Sequence, residues 1–225
     1  MHIEPGVVDG AKMVFAYGTA AAAAGYSLKL AANDLKFANI PAFAIRAGLA
    51  TVGTFAFFEV LPHFSAGISE VHFILATTLF LLLGAGAAAA GLTMGLLIQG
   101  LLFAPTDLPM FAVNMTTLLV PLFVLNALAR KIVPEARAYV DLDYAQVLKM
   151  SAVYQGGVIA WVAFWAIYGQ GFGAENIQSV LAFGAAYALV IVIEPVADLA
   201  VLAAAKGLRG AKAAGVFTPR LFNAA

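Results

Sequence analysis

The sequence predicts an all-α, polytopic bundle of about seven membrane-crossing helices, and three observations carry that reading: apolar composition, regular breaks between apolar runs, and charge gathered in alternate loops. Of 225 residues, 63% are hydrophobic and 11% charged, whereas soluble domains are roughly half apolar and a quarter charged. A helix needs about 20 mostly apolar residues to cross the hydrocarbon core. Seven stretches approach that requirement: 11–32, 41–62, 70–90, 91–104, 109–132, 145–168 and 175–205. The fourth is short and needs tilt, extension by its neighbours or a partial crossing. The breaks are residues 33–39, LPHFSAGIS, GAGAAAAGL, APTDLP, RKIVPEARAYVDLDY and GQGFGAEN, each rich in turn formers or polar residues. No linker divides the chain, so one transmembrane domain, 1–225, is expected, with 1–10 as an N-terminal capturing segment and 206–225 as a tail.

Positive residues set topology in such proteins. Lys29 and Lys36 flank the first connection; Arg130, Lys131, Arg137 and Lys149 flank the fifth; Lys206, Arg209, Lys212 and Arg220 fill the tail. The second, fourth and sixth connections have no Lys or Arg. Seven crossings with a cytoplasmic C-terminus put the N-terminus outside, beside Glu4, Asp9, Glu59, Glu70, Asp107 and Glu175, with Lys12 alone opposed. A negative face of this kind concentrates cations, although outer loops also need polar residues for solubility alone. The opening MHIEPGVVDGAK has acids where a signal peptide needs basic residues, so the first residues are expected to remain.

Several function classes fall away. Net charge is zero, and nothing in it points to nucleic acid. Cysteine is absent, which removes disulfides, thiolate metal sites and cysteine nucleophiles. There is no G-x-x-x-x-G-K-[ST] loop for ATP, no convincing Ser/His/Asp set and no His-x-x-x-His helix. Gly169–Gly173 is glycine-rich but lacks the strand and lysine of a phosphate loop. The Asn114-Met115-Thr116 acceptor pattern falls in or beside a membrane helix.

All three histidines fall near one face. A free α-amino group, a deprotonated amide at residue two and the His2 imidazole close two fused chelate rings on one ion. The fourth nitrogen must come from His72 or His63. Square-planar nitrogen donors suit Ni(II) or Cu(II), Co(II) enters with adjusted geometry, and affinity falls in acid because the ligands must lose protons. Each histidine also has a plain reading: His2 as a frayed end, His63 as an interfacial side chain, His72 as a helix-end residue.

Three motifs then carry a resemblance. Met1-His2-Ile3-Glu4-Pro5-Gly6 resembles the opening of the nickel/cobalt-binding permease subunit of energy-coupling-factor transporters, the CbiM/NikM family, which begins Met-His-Ile. Gly67-Ile68-Ser69-Glu70-Val71-His72 is similar to that family's Gly-Thr-Ser-Gly-His, with one extra residue between Ser69 and His72. Leu97–Ala104 followed by Ala112-Val113-Asn114 is similar to its Leu-Leu-Gln-Ala-Leu-Leu-Phe-Ala and later Gly-Ala-Asn, with Pro105 where the family has an acid. Beyond about Leu128 the likeness is hydropathic. The resemblance implies a helical bundle with the N-terminus threaded inward. It also implies a metal held by the Met1 amine, the His2 amide and imidazole, and His72, with a transmembrane coupling subunit and paired ATPases as partners.

Polar residues within the apolar runs complete the reading. Gln99 and Asn114 must find partners or line a cavity, and the resemblance makes them candidates to orient the ligands; ordinary interhelical bonding is the alternative. Glu194, beside Pro195 and one turn before Asp198, is a costly intramembrane carboxylate, with Arg46 as its expected counter-ion. The small-residue run Gly18–Gly25 and the Gly91/Gly95 pair allow close helix approach, either within the bundle or against the coupling subunit. The function expected is uptake of Ni(II) or Co(II) as the substrate-binding subunit of such a transporter in the inner membrane. That subunit is not itself an enzyme and has no organic cofactor, and Met1, His2 and His72 are its ligands with His63 in reserve. The alternatives are a subunit of a copper-dependent membrane metalloenzyme assisted by Met94, Met110 or Met115, or a structural membrane protein.

Overall fold

The computed structural model describes residues 2–36, 39–134, 136–208 and 216–224. These residues contain seven α-helices: α1 (Lys12–Asp34), α2 (Ile40–Glu59), α3 (Ala76–Leu83), α4 (Ala85–Leu102), α5 (Phe111–Ile132), α6 (Tyr144–Gln170) and α7 (Ala174–Gly207). A hairpin of β1 (Phe64–Ala66) and β2 (Ser69–Val71) separates α2 from α3. Among the described residues, five helical runs are long and apolar enough to cross a membrane: α2, α4, Pro105–Ile132, α6 and α7. The chain is a multi-pass, all-α membrane protein.

The helix starts have local causes. Asn39 caps α2 by accepting from the Ala42 N–H at 2.9 Å, with Pro41 in the first turn, where a missing N–H costs nothing. Asp143 and Gln146 form a reciprocal capping box at α6. Helix α4 packs most closely on α2, and glycines allow it: a Cβ on Gly91 would stand 2.2 Å from Ala50 Cβ, and one on Gly95 2.6 Å from Thr54 Cβ. The Gly91/Gly95 pair therefore serves internal packing. The α1 run faces two ways. Ala20 and Ala23 are buried, whereas Gly18, Ala21, Ala22, Ala24 and Gly25 are exposed.

The third crossing differs from the 70–90 helix expected. Residues 64–71 form the hairpin, whose two-residue turn has φ +60° at Gly67, as a type II′ turn requires. The chain then runs through residues 73–75 without regular structure, and only α3 is helical. It nevertheless joins the two ends of the bundle. His72 lies against Phe58, and the Leu83 carbonyl lies against Arg46; from Arg46 to Phe58 helix α2 advances about 18 Å. Gly84, with φ +92°, breaks the path between α3 and α4.

Unwound backbone at membrane depth must be satisfied by protein, and α7 supplies the acceptors. Glu194 takes the Ile74 N–H and is held in turn by Gln155, which Tyr187 holds. Asp198 accepts from Thr78 Oγ at 2.6 Å. This corrects the expected pairing of Glu194 with Arg46: Arg46 instead donates to the Leu83 carbonyl at 2.8 Å and stands 4.0 Å from Asp34. Two carboxylates one turn apart are placed where the third crossing has no helix to satisfy its own N–H groups.

Candidate metal centre

The N-terminal segment enters the bundle as a third strand beside the hairpin. Ile3 bridges Ser69 in antiparallel sense. The Glu70 N–H donates to the His2 carbonyl at 2.9 Å, the Glu4 N–H to the Ile68 carbonyl at 3.2 Å, and Ser69 Oγ to the His2 carbonyl at 3.0 Å. Asn114 accepts the Ile3 N–H at 2.8 Å. Close approach also needs glycine on α6, since a Cβ on Gly169 would stand 1.9 Å from the Val7 carbonyl oxygen. Ile3, Val7 and Val8 are buried as a result. The plain reading of His2 as a frayed end fails: it is 3% exposed.

Strand pairing aligns the site. His72 follows directly on β2 and Glu70 lies two residues before it. His2 Nδ1 stands 3.1 Å from Glu70 Oε2 and 3.3 Å from Asp107 Oδ2, while His72 Nε2 stands 2.8 Å from Glu70 Oε2. The two imidazole centroids are 4.8 Å apart. One ligand atom from each of His2, Glu70 and His72 lies within 4.8 Å of the others. Donors each about 2 Å from a shared ion stand up to about 4 Å apart, so this trio needs only a modest contraction to enclose one.

Protons are too few for these contacts. Burial pushes His72 down to about 3 and lowers His2 as well, so both rings are neutral at pH 7. His72 Nδ1 faces the Phe58 carbonyl at 3.2 Å while Nε2 faces Glu70. A neutral imidazole has one N–H for these two acceptors. With the proton on Nδ1 for Phe58, the Nε2 lone pair points at a carboxylate, an arrangement a cation between them relieves. The bond to Phe58 also fixes the ring's orientation, as hydrogen bonds to the second nitrogen commonly do for ligating histidines. The hydrogen bond from His2 holds Glu70 well below the usual carboxylate range. Burial, and then the charges of Glu70 and Asp107, raise Glu4. The cluster is short of positive charge.

The other expected residues are distributed differently. His63 is exposed, bonds the Leu61 carbonyl at 3.2 Å, and stacks on His72 with centroids 4.9 Å apart. Asn114 orients the backbone of Ile3 rather than an imidazole. Gln99 is buried, and its Oε1 has no hydrogen-bond partner among the described residues. Met1 lies outside the described residues, as do Arg209 and Lys212 of the tail. Met110 and Met115 are buried and Met94 is exposed. Glu70 and Asp107 were legible only as outer-face acids. The signal for Glu70 was its spacing: in extended chain, residues two apart share a face, so Glu-x-His in a hairpin strand aims both side chains together.

A multi-pass helical bundle thus carries, at one end, a cluster of imidazoles and carboxylates, the side chains that ligate metal ions. Over residues 2–210 the chain matches the family model CbiM, described as the cobalt uptake substrate-specific transmembrane region, and it belongs to that family. The family provides the substrate-specific component of cobalt and nickel uptake transporters, which works with other transporter subunits. A solved structure described as a truncated transition metal transporter shares the fold, with TM-score 0.63 and 18% identity over 92% of this chain and 97% of that one. No curated protein matches the chain.

Proposed function

We propose that this subunit captures Ni(II) or Co(II) from outside the inner membrane on a centre built from Met1, His2 and His72, with Glu70 closing the charge and His63 as a reserve ligand. The observation that carries the reading is the convergence of His2 Nδ1, His72 Nε2 and Glu70 Oε2 without enough protons to satisfy them. Two neutral imidazoles supply nitrogen donors, and the carboxylates of Glu70 and Asp107 offset a divalent charge. The amine of Met1 and the amide of His2 complete the four-nitrogen set. Residues 1–225 act as one transmembrane unit, with 1–10 capturing the ion and 206–225 in the cytoplasm. The alternation of basic connections supports that orientation.

Transport then depends on a transmembrane coupling subunit and ATPases. The exposed small-residue face of α1, from Gly18 to Gly25, supports docking of a helical partner, because small side chains let helices approach closely in lipid. Extending the N-terminus by one residue, or acetylating it, is expected to abolish high-affinity binding in calorimetric titrations with Ni(II) and Co(II). Unchanged affinity after either modification rules out the amine-based centre.

A further inference from the structure

A cavity of about 430 Å3 lies at the opposite end of the bundle from the imidazole cluster, where α1 ends, α2 begins and the α3–α4 path breaks at Gly84. Its wall is built around unspent donors. Arg46 is 1% exposed, and its Nη2 is buried with no partner among the described residues. Asn126 is 7% exposed, and its Nδ2 is likewise without one. Both line the cavity with Arg130, Arg220, Thr218 and Tyr139. Arg220 spends Nη2 on the Pro134 carbonyl at 2.8 Å, and its guanidinium lies 5.7 Å over the Tyr139 ring.

Among the described residues that line the cavity, one carboxylate faces these three guanidinium groups. Asp34 lines the same cavity but is already engaged by the Gly86 N–H at 3.1 Å and stands at the limit of ion-pair distance from Arg46. A buried guanidinium is tolerated when paired and hydrogen-bonded, and here the pairing is incomplete. The cavity far exceeds the roughly 30 Å3 share of one water, and a neutral guest leaves the excess of positive charge among its described lining residues unanswered. Donors approach from several helices and the tail rather than as one planar fork. That arrangement suits the tetrahedral oxygens of a phosphate better than a carboxylate, and arginine is the side chain suited to it. An apolar wall of Phe80, Ala129 and Val133 adds room for the ester side of a headgroup.

We propose that this cavity binds a phosphate group, carried by an anionic phospholipid or free in solution. Basic pockets between helices at a membrane's cytoplasmic side bind anionic headgroups, and the orientation proposed above puts the cavity on that side. The site itself stands on Arg46 and Asn126 and not on that orientation.

The test uses the full chain in detergent. Native mass spectrometry reads retention of phosphatidylglycerol against phosphatidylcholine, and calorimetry reads inorganic phosphate against acetate, for the natural sequence, Arg130→Gln and Asn126→Leu. Arg46 is left intact because it holds the Leu83 carbonyl. Preferential retention of phosphatidylglycerol, reduced about tenfold in each variant as expected for a lost charge-assisted or buried hydrogen bond, supports the lipid as source. Phosphate binding with the same sensitivity, and no lipid preference, supports the free anion. Equal retention of both lipids with no phosphate binding, variants that behave as the parent, or acetate binding as well as phosphate overturns the proposal. Nickel titration of the same variants keeps the two sites separate: the metal centre is at the other end, so its affinity should not change.

Discussion

Single side chains test the proposed metal centre. Removing His72 deletes a nitrogen donor, whereas His63 only stacks on it from an exposed position. His72→Ala is therefore expected to abolish tight Ni(II) binding and His63→Ala to leave it nearly intact, as read by titration; equal losses would assign the fourth donor differently. Glu70→Gln keeps the shape and removes the charge, and should weaken binding about 10–100-fold, the scale for groups that orient or neutralise a ligand set. The histidine at residue two stood out in the sequence as a candidate ligand because a histidine beside the chain start can chelate without help from the fold. Glu70 and Asp107 did not stand out, because strand pairing brings residue 70 to residue 2 and the turn at Pro105–Met110 ahead of α5 brings in Asp107. Asn114 was legible as a buried amide needing a partner, but not as the acceptor for Ile3.

At the level of elements, the third crossing and α7 form one unit. Glu194 accepts the Ile74 N–H and Asp198 accepts from Thr78, so α7 stands in for the missing turns ahead of α3. Glu194→Leu would leave a buried N–H and Gln155 unsatisfied, at about 1–3 kcal/mol for each orphaned group. The expected result is a lower Tm in detergent and faster hydrogen exchange at residues 73–78. A Tm equal to the parent's would mean that α3 holds its position without α7. Long crossings such as α2, α5, α6 and α7 could be read from hydropathy and breaks. Residues 70–75 could not, since an extended apolar segment and an apolar helix have the same composition and differ only in which neighbour satisfies the backbone.

Across the whole molecule, a buried imidazole at one end of the bundle ties stability to pH. His72 sits at about 3 in the folded protein against an ordinary value of 6.5, so below pH 6.5 the unfolded chain binds a proton that the folded chain refuses. Stability is then lost as pH falls from 6.5 towards 3. Glu70, held low when folded, adds a loss of the same sign at still lower pH. The Tm of metal-free protein should fall between pH 7 and pH 5, with a shallower slope for His72→Gln; a flat profile would contradict the burial argument. The strand made by Ile3 has another implication. It is held laterally by main-chain bonds, as an added peptide strand would be. A chain trimmed of this strand should accept a synthetic Met-His-Ile-Glu-Pro-Gly peptide in its place, at concentrations set by the lost tether, which commonly supplies an effective millimolar local level. Nickel binding restored by that peptide, and not by one with alanine in second position, would make the chain's opening residues a detachable chelator docked on a preformed groove.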